Sequence, residues 1–292
     1  MIDEITIKEI ESLLPNISRK IEIKGLIGKG GQKHVYKAID LDTGENLVFK
    51  VLKVKGNILE RLKREVRAVD IIDSNHIPKI FESNVNIVSE AESLIWLVEE
   101  FIDGDSLRTI LQSGRTFSLS EVVEFINVMF LILEKAEKHN IVHRDIKPEN
   151  IMIDVQGEYW LIDFGISRHL DLESITITHA PFGLFTIGYS AAEQFRNRKK
   201  QIDIRADLFS LGVVATEMIQ GYNPYLHKAS DILQVIKRIE QKPLPALRID
   251  GDDRFLMAKF IKILGDNRLS RRPKTIRDAI KIFDIVKSTL NI

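Results

Sequence analysis

Cysteine is absent from this chain of 292 residues. Disulfides, thiolate nucleophiles and cysteine-ligated zinc are thereby excluded, and nothing points to an oxidising compartment. Net charge is absent too, since 42 Lys and Arg balance 42 Asp and Glu. That balance argues against a general binder of nucleic acid or another polyanion, although it allows a local basic groove. Long apolar runs are missing: the greasiest stretch, residues 122–133, is too short for a membrane span and is broken by Glu124 and Asn127. Met1-Ile2-Asp3-Glu4 lacks the basic-then-apolar pattern of a signal peptide. Internal repeats and low-complexity segments are lacking as well. What remains is the expectation of a soluble, cytoplasmic protein with no membrane and no nucleic-acid partner, long enough for one large or two small domains.

The organisation reads in two parts. Thr6-Ile7-Lys8-Glu9 is a capping box that opens a short helix closed by Pro15, so residues 1–20 form an N-terminal extension. Residues 21–101 are strand-rich. Apolar, branched runs at 35–39 and 47–51 flank Asp42-Thr43-Gly44, a hairpin turn, and Leu94 to Phe101 is a further strand. One helix interrupts them, because Ile58, Leu62, Val66 and Val69 recur at helical spacing. After Asp103-Gly104-Asp105 the pattern turns helical. A second capping box, Ser118-Leu119-Ser120-Glu121, precedes the stripe Val122, Ile126, Met129, Leu133 and Ala136. Further helices are expected over 207–219, 229–240, 254–264 and 275–289. The fold class is α+β: a small β-rich lobe with one long helix, about 21–101, a hinge at 101–105, and a larger α-helical lobe, about 106–290.

The chemistry concentrates in His143-Arg144-Asp145-Ile146-Lys147-Pro148-Glu149-Asn150, followed by Asp163-Phe164-Gly165. Asp145 can accept a proton from an attacking hydroxyl. Lys147 can balance charge on a moving phosphoryl group. Asn150 and Asp163 offer hard oxygen ligands, which suit Mg²⁺. Two such runs in this order and spacing resemble the eukaryotic-type (Hanks-type) serine/threonine protein kinases, and the composition fits a prokaryotic member. The resemblance covers residues 21–290 and implies ATP as cofactor with Mg²⁺, or Mn²⁺ as substitute. It also implies protein substrates, and a dimer is one route to autophosphorylation between chains.

Carried over residue by residue, the resemblance assigns the nucleotide surface to Ile27, Gly28, Gly30, Val35 and Val48, with adenine against the backbone of Glu100 and Ile102. Glycines admit backbone N–H groups close to phosphates. The loop departs from the family pattern at Lys33, where a third glycine is expected. Val48-Phe49-Lys50 resembles the family's lysine strand. An ammonium inside an apolar strand needs anions, and Glu65, on the body-facing side of its helix, is the expected carboxylate partner, with Glu60 as fallback. Glu99 falls at the back of the nucleotide pocket, a place the family usually fills with an apolar residue, and must find a donor or stay wet.

In the transfer half, the resemblance makes Asp145 the base or hydroxyl-orienting residue and His143 a core residue. It has Thr186 touch Asp145 and Lys147, Asp207 hold the backbone of the catalytic loop, and Glu193 pair with Arg272. Ala192 replaces the proline of the family's Ala-Pro-Glu. Ser174, Thr176 and Thr178 are candidate phosphorylation sites facing Arg144. Arg196, Arg198, Lys199 and Lys200 read as a solvated basic loop, with docking of an acidic substrate as the second reading. Two other functions stay open: a pseudokinase acting as a nucleotide-binding scaffold or switch, and a kinase of small molecules, against which Lys147-Pro148-Glu149 argues. If the N-terminal extension docks near the Glu65 helix, it could regulate activity.

Overall fold

Alternating side chains in five strands build the first unit. The computed structural model describes residues 5–29, 33–55, 58–88, 92–164, 186–196 and 202–290. The chain divides into two compact units, with the break between Asp103 and Gly104, and Asp163 and Phe164 belonging to the first. In that unit β1 (Ile21–Lys29), β2 (Lys33–Asp40), β3 (Asn46–Lys55), β4 (Ile80–Ser83) and β5 (Glu92–Glu100) form one sheet in the order β1-β2-β3-β5-β4. Every neighbouring pair is antiparallel. The β2–β3 turn is the expected one. Gly44 has φ 78°, a conformation glycine adopts freely, and the Asp40 carboxylate accepts the N–H groups of Asp42 and Thr43 at 3.0 and 3.2 Å.

Strand periodicity gives the sheet two apolar faces. Leu52, Val54, Ile95 and Leu97 pack on Leu59, Leu62 and Val66 of α2 (Ile58–Ile72). Leu47, Phe49, Val51, Trp96 and Val98 face the other way, into a cluster with Ile5, Ile10 and Ile17. These isoleucines flank or lie on α1 (Ile7–Leu13), whose capping box is present as expected. The Glu9 side chain accepts the Thr6 N–H at 2.7 Å and also pairs with Lys53 of β3 at 3.3 Å. The extension therefore docks on the sheet face opposite α2 rather than beside the Glu65 helix. Its isoleucines match the face bearing Phe49 and Trp96, whereas α2 already covers the other.

The second unit is mainly helical. It holds α3 (Leu107–Gln112), α4 (Leu119–Lys138), α5 (Ala192–Phe195), α6 (Arg205–Gln220), α7 (Ile232–Gln241), α8 (Leu256–Leu264) and α9 (Ile276–Lys287). The Ser118–Glu121 capping box opens α4, and its apolar stripe is buried from Val122 to Ala136. Phe130 of α4 meets Phe260 of α8 and Phe283 of α9 edge-on, at 6.3 and 5.5 Å between ring centroids. Almost every residue of α6 is buried, which makes it the axis of the unit. A three-stranded sheet of β6 (Gly104–Ser106), β7 (Ile151–Asp154) and β8 (Tyr159–Leu161) was not foreseen, since strands this short show no alternation. Gly104 permits it, because a Cβ there would lie 2.1 Å from the Ile153 carbonyl oxygen. Among the described residues no helix is long and apolar enough to cross a membrane.

Candidate active site

Sheet register places the first set of functional side chains. Lys50 on β3 lies opposite Val35 of β2 and Leu97 of β5. Its side chain is buried, and Nζ donates to Glu99 Oε2 at 2.6 Å and to Asp163 Oδ1 at 2.7 Å. The other Asp163 oxygen accepts from Lys33 Nζ, also at 2.7 Å. Four charges thus alternate through Glu99, Lys50, Asp163 and Lys33.

Electrostatics follow from that order. Burial alone would lower the Lys50 pKa, but the carboxylates of Asp163 and Glu99 outweigh it and hold the ammonium protonated. Burial would raise Asp163, yet Lys33 and Lys50 together keep it well below the usual carboxylate range. Burial raises Glu99, the nearby Asp163 charge adds to it, and the ammonium groups of Lys50 and, more weakly, Lys33 only partly offset it. Glu99 Oε1 is buried with no hydrogen bond among the described residues. The donor that Glu99 needed is therefore Lys50. The side chain of Glu65, the partner expected for Lys50, lies outside the described residues, though its backbone is within α2. Lys50, Glu99 and Asp163 also border a small cavity of about 10 Å³, roughly one water in size, lined as well by Val69, Ile77, Pro78, Ile80 and Phe164.

Around these charges, Gly28 pairs with Val35 across β1 and β2. Ile27 is exposed, and Val35 and Val48 are half-buried. Gly30 lies outside the described residues. The Glu100 N–H donates to the Lys79 carbonyl at 2.9 Å, and Glu100 stands opposite Leu47 at the end of the β3–β5 ladder. Ile102 follows, buried, just beyond β5.

The second set lies in the second unit and is organised around Asp145, which is 4% exposed. Its carboxylate accepts from Asn150 Nδ2 at 3.0 Å and pairs with Lys147 Nζ at 2.9 Å. The Thr186 hydroxyl donates to Asp145 Oδ1, and Lys147 Nζ reaches the same hydroxyl at 3.5 Å. Asn150 also donates to the Asp145 carbonyl at 2.9 Å. Both uses of its amide nitrogen orient the side chain and leave Oδ1 as an acceptor for a hard cation.

Backbone geometry around this cluster is held from below. Asp207 at the start of α6 accepts the N–H groups of His143 and Arg144 at 2.8 and 2.7 Å. His143 is buried, and its Nδ1 accepts the Asp145 N–H at 3.2 Å. The Gln194 side chain donates to the Arg144 carbonyl at 3.0 Å. Arg144 and Asp163 both have positive φ, 67° and 57°, costly for residues with side chains and typical of functional loops.

Glu193 and Arg272 form the expected buried pair, with Nη1–Oε1 at 2.6 Å and Nη2–Oε2 at 3.3 Å. Breaking a buried ion pair from one side costs about 3–5 kcal/mol, because the partner charge is stranded. Arg272→Met should therefore destabilise the protein by roughly that amount in urea unfolding, and adding Glu193→Leu should recover much of it.

One cluster escaped sequence reasoning. Arg108 of α3 donates through Nε to Glu149 at 2.7 Å, through Nη1 to Glu217 at 2.8 Å, and through Nη2 to the Tyr189 hydroxyl. Tyr189 in turn donates to Glu217 Oε2 at 2.5 Å. The available signal was Glu217 itself, a lone charge in the second half of α6. Arg196 pairs with Glu240 at 2.6 Å. Arg198, Lys199 and Lys200 lie outside the described residues, as do Ser174, Thr176 and Thr178.

Residues 21–278 match the family model described as protein kinase domain. Curated relatives agree. The chain is 33% identical over 260 residues to a probable serine/threonine-protein kinase PknB of Bifidobacterium longum, covering 86% of this chain and 37% of that protein. It is 28% identical over 280 residues to a probable serine/threonine-protein kinase of Clostridium perfringens, covering 94% and 39%. It is 28% identical over 263 residues to the serine/threonine-protein kinase PknB of Mycobacterium leprae, covering 88% and 41%. The chain thus spans about two-fifths of the length of these relatives.

Proposed function

The chain belongs to the protein kinase family, and from that premise we propose that it transfers the γ-phosphoryl group of ATP to serine or threonine hydroxyls of proteins. The observation that carries this reading is the Thr186 hydroxyl on Asp145 Oδ1 with the Lys147 ammonium beside it. That is the arrangement an acceptor hydroxyl requires: a carboxylate to take its proton and a cation to stabilise charge on the transferred group. The named relatives point to the same activity.

Lys50, buried and held protonated, is the cation for the α- and β-phosphates. Ile27, Gly28, Gly30, Val35 and Val48 form the nucleotide surface, and the Glu100 carbonyl and Ile102 backbone serve the adenine. The residues fit a divalent cation. Asn150 in the second unit presents an oriented amide oxygen, and Asp163 in the first is a carboxylate that accepts two ammonium groups at 2.7 Å, so each by itself is a hard oxygen donor of the kind a divalent cation takes. Mg²⁺ or Mn²⁺ held by such donors would neutralise charge on the phosphates. Within this reading residues 21–290 are the catalytic domain, hinged at 101–105, and work in the cytoplasm where ATP is available. Ser174, Thr176 and Thr178 are its own acceptors, reached in a transient dimer.

The test is transfer of labelled phosphate from ATP, with Mg²⁺ or Mn²⁺, onto the protein itself and onto a generic basic protein. Wild type should transfer and Lys50→Met should not. No transfer by wild type with either metal, or full transfer by Lys50→Met, would overturn the reading.

A further inference from the structure

We propose that Glu99 is the carboxylate that positions Lys50 for nucleotide, so that the anchor of this lysine is built into the sheet. The inference rests on the kinase reading and assigns within it a positioning role to a residue at an ordinarily apolar place.

The argument begins with register. Lys50 stands opposite Leu97, and Glu99 stands opposite Val48. Residues two apart on a strand share a face, so Lys50 and Glu99 are diagonal neighbours on one face of adjacent strands, within reach of long side chains. Both residues are 5% exposed, and their contact is 2.6 Å. Among the described residues Lys50 is the only group bonded to the Glu99 carboxylate, whose second oxygen is buried without a hydrogen bond. A buried carboxylate so poorly satisfied carries a desolvation penalty, and an apolar residue would fill the place without that cost. Stability alone therefore does not explain Glu99. Orientation of Lys50 does.

The chemistry of the cluster supports this. Asp163 is shared by two ammonium groups, Lys33 and Lys50. If Asp163 turns to a metal ion, Lys33 and Lys50 both lose a counter-charge, but Lys50 keeps Glu99. Packing gives the pair its second property. β3 and β5 are joined along nine paired positions from Leu47 to Lys55, so Glu99 cannot leave Lys50 without breaking the ladder. A glutamate on α2 is fixed to the sheet through side-chain packing, to which Leu59, Leu62 and Val66 contribute. Lys50 is thus kept in place whatever the position of α2.

The deciding experiment measures ATP dissociation constants, by displacement of a fluorescent nucleotide with Mg²⁺ present, alongside kcat and KM for ATP. The variants are Glu99→Gln, Glu99→Asp, Glu65→Gln, Lys50→Met and the double variant Lys50→Met/Glu99→Gln. Misplacing a positioned group costs on the order of 10²-fold, so Glu99→Gln should lose about that in kcat/KM, mainly through weaker ATP binding. Glu99→Asp should recover part of it, as a merely space-filling role would not predict. Glu65→Gln should cost at least about tenfold less than Glu99→Gln, and the double variant should bind ATP no worse than Lys50→Met, because the two residues act as one unit. A Glu65→Gln loss equal to that of Lys50→Met, with Glu99→Gln near wild type, would overturn the inference. So would losses that multiply in the double variant. Should Glu99→Gln fail to fold, Glu99→Leu replaces it, keeping the packing and removing the charge. Wild type that binds ATP but transfers nothing would remove the kinase reading and leave this inference to be decided by the dissociation constants.

Discussion

Asp145→Asn should lower kcat for phosphate transfer by about 10²–10⁴-fold, the usual contribution of a positioned general base, with KM for ATP nearly unchanged. Asp145 receives a hydroxyl from Thr186, an amide N–H from Asn150 and the ammonium of Lys147, and is almost wholly buried. The amide of Asn keeps the shape. It cannot take a proton, and its NH₂ group must face either the Thr186 hydroxyl or both Lys147 and Asn150. Lys147 then loses its counter-charge at 2.9 Å. The loss should fall on the chemical step, because the residues proposed to hold ATP belong to the other unit. Steady-state kinetics against ATP, with melting temperature as the folding control, checks this. A variant retaining more than roughly a tenth of wild-type kcat would show that Asp145 is not the base, since even a weak base contributes about 10²-fold.

Much of this site was legible in the sequence because its side chains act close to their own positions in the chain. Asp145, Lys147 and Asn150 lie within one short run, and the structure brings them together on one carboxylate. The helices of the second unit were legible because apolar spacing of three and four residues needs no knowledge of partners. The contact of Lys50 with Glu99 was not legible. A diagonal pair between β3 and β5 depends on register, which the loop, α2 and β4 between them do not reveal. Family resemblance supplied Glu65, whose side chain lies outside the described residues, and the unusual charge at Glu99 stood without a cause until its contact was seen. The Arg108 cluster failed for the same reason, joining residues 41, 81 and 109 positions apart. Glu193 with Arg272 is as distant, at 79 positions, and was found only through the resemblance.

Removal of residues 1–20 should unfold the first unit rather than deregulate it. The capping box at Thr6 announced α1, but which surface it covers is a tertiary fact. Ile5, Ile10 and Ile17 are buried against a sheet face where Phe49 and Val51 are fully inaccessible and Trp96 is 2% exposed. Burying each isoleucine is worth roughly 1.5–3 kcal/mol, so the three together approach about 5–9 kcal/mol as an upper bound. Deletion also strips Asp40 of Arg19 at 2.8 Å and Glu82 of Ser18 at 2.7 Å. Whole-domain stabilities are about 5–15 kcal/mol, so the loss is of the same size as the total. The truncated protein should be insoluble or lack a cooperative melt. Ile10→Ala isolates the effect in folded protein: a cost of about 2–5 kcal/mol, read as a fall in melting temperature on the order of 10 °C. Because α1 sits on the face away from Lys50 and Glu99, that variant should keep the wild-type KM for ATP at temperatures where it is folded. A truncated protein that melts within about 2 °C of wild type would mean that the extension contributes less than roughly 1 kcal/mol, and that the sheet face it covers is stable without it.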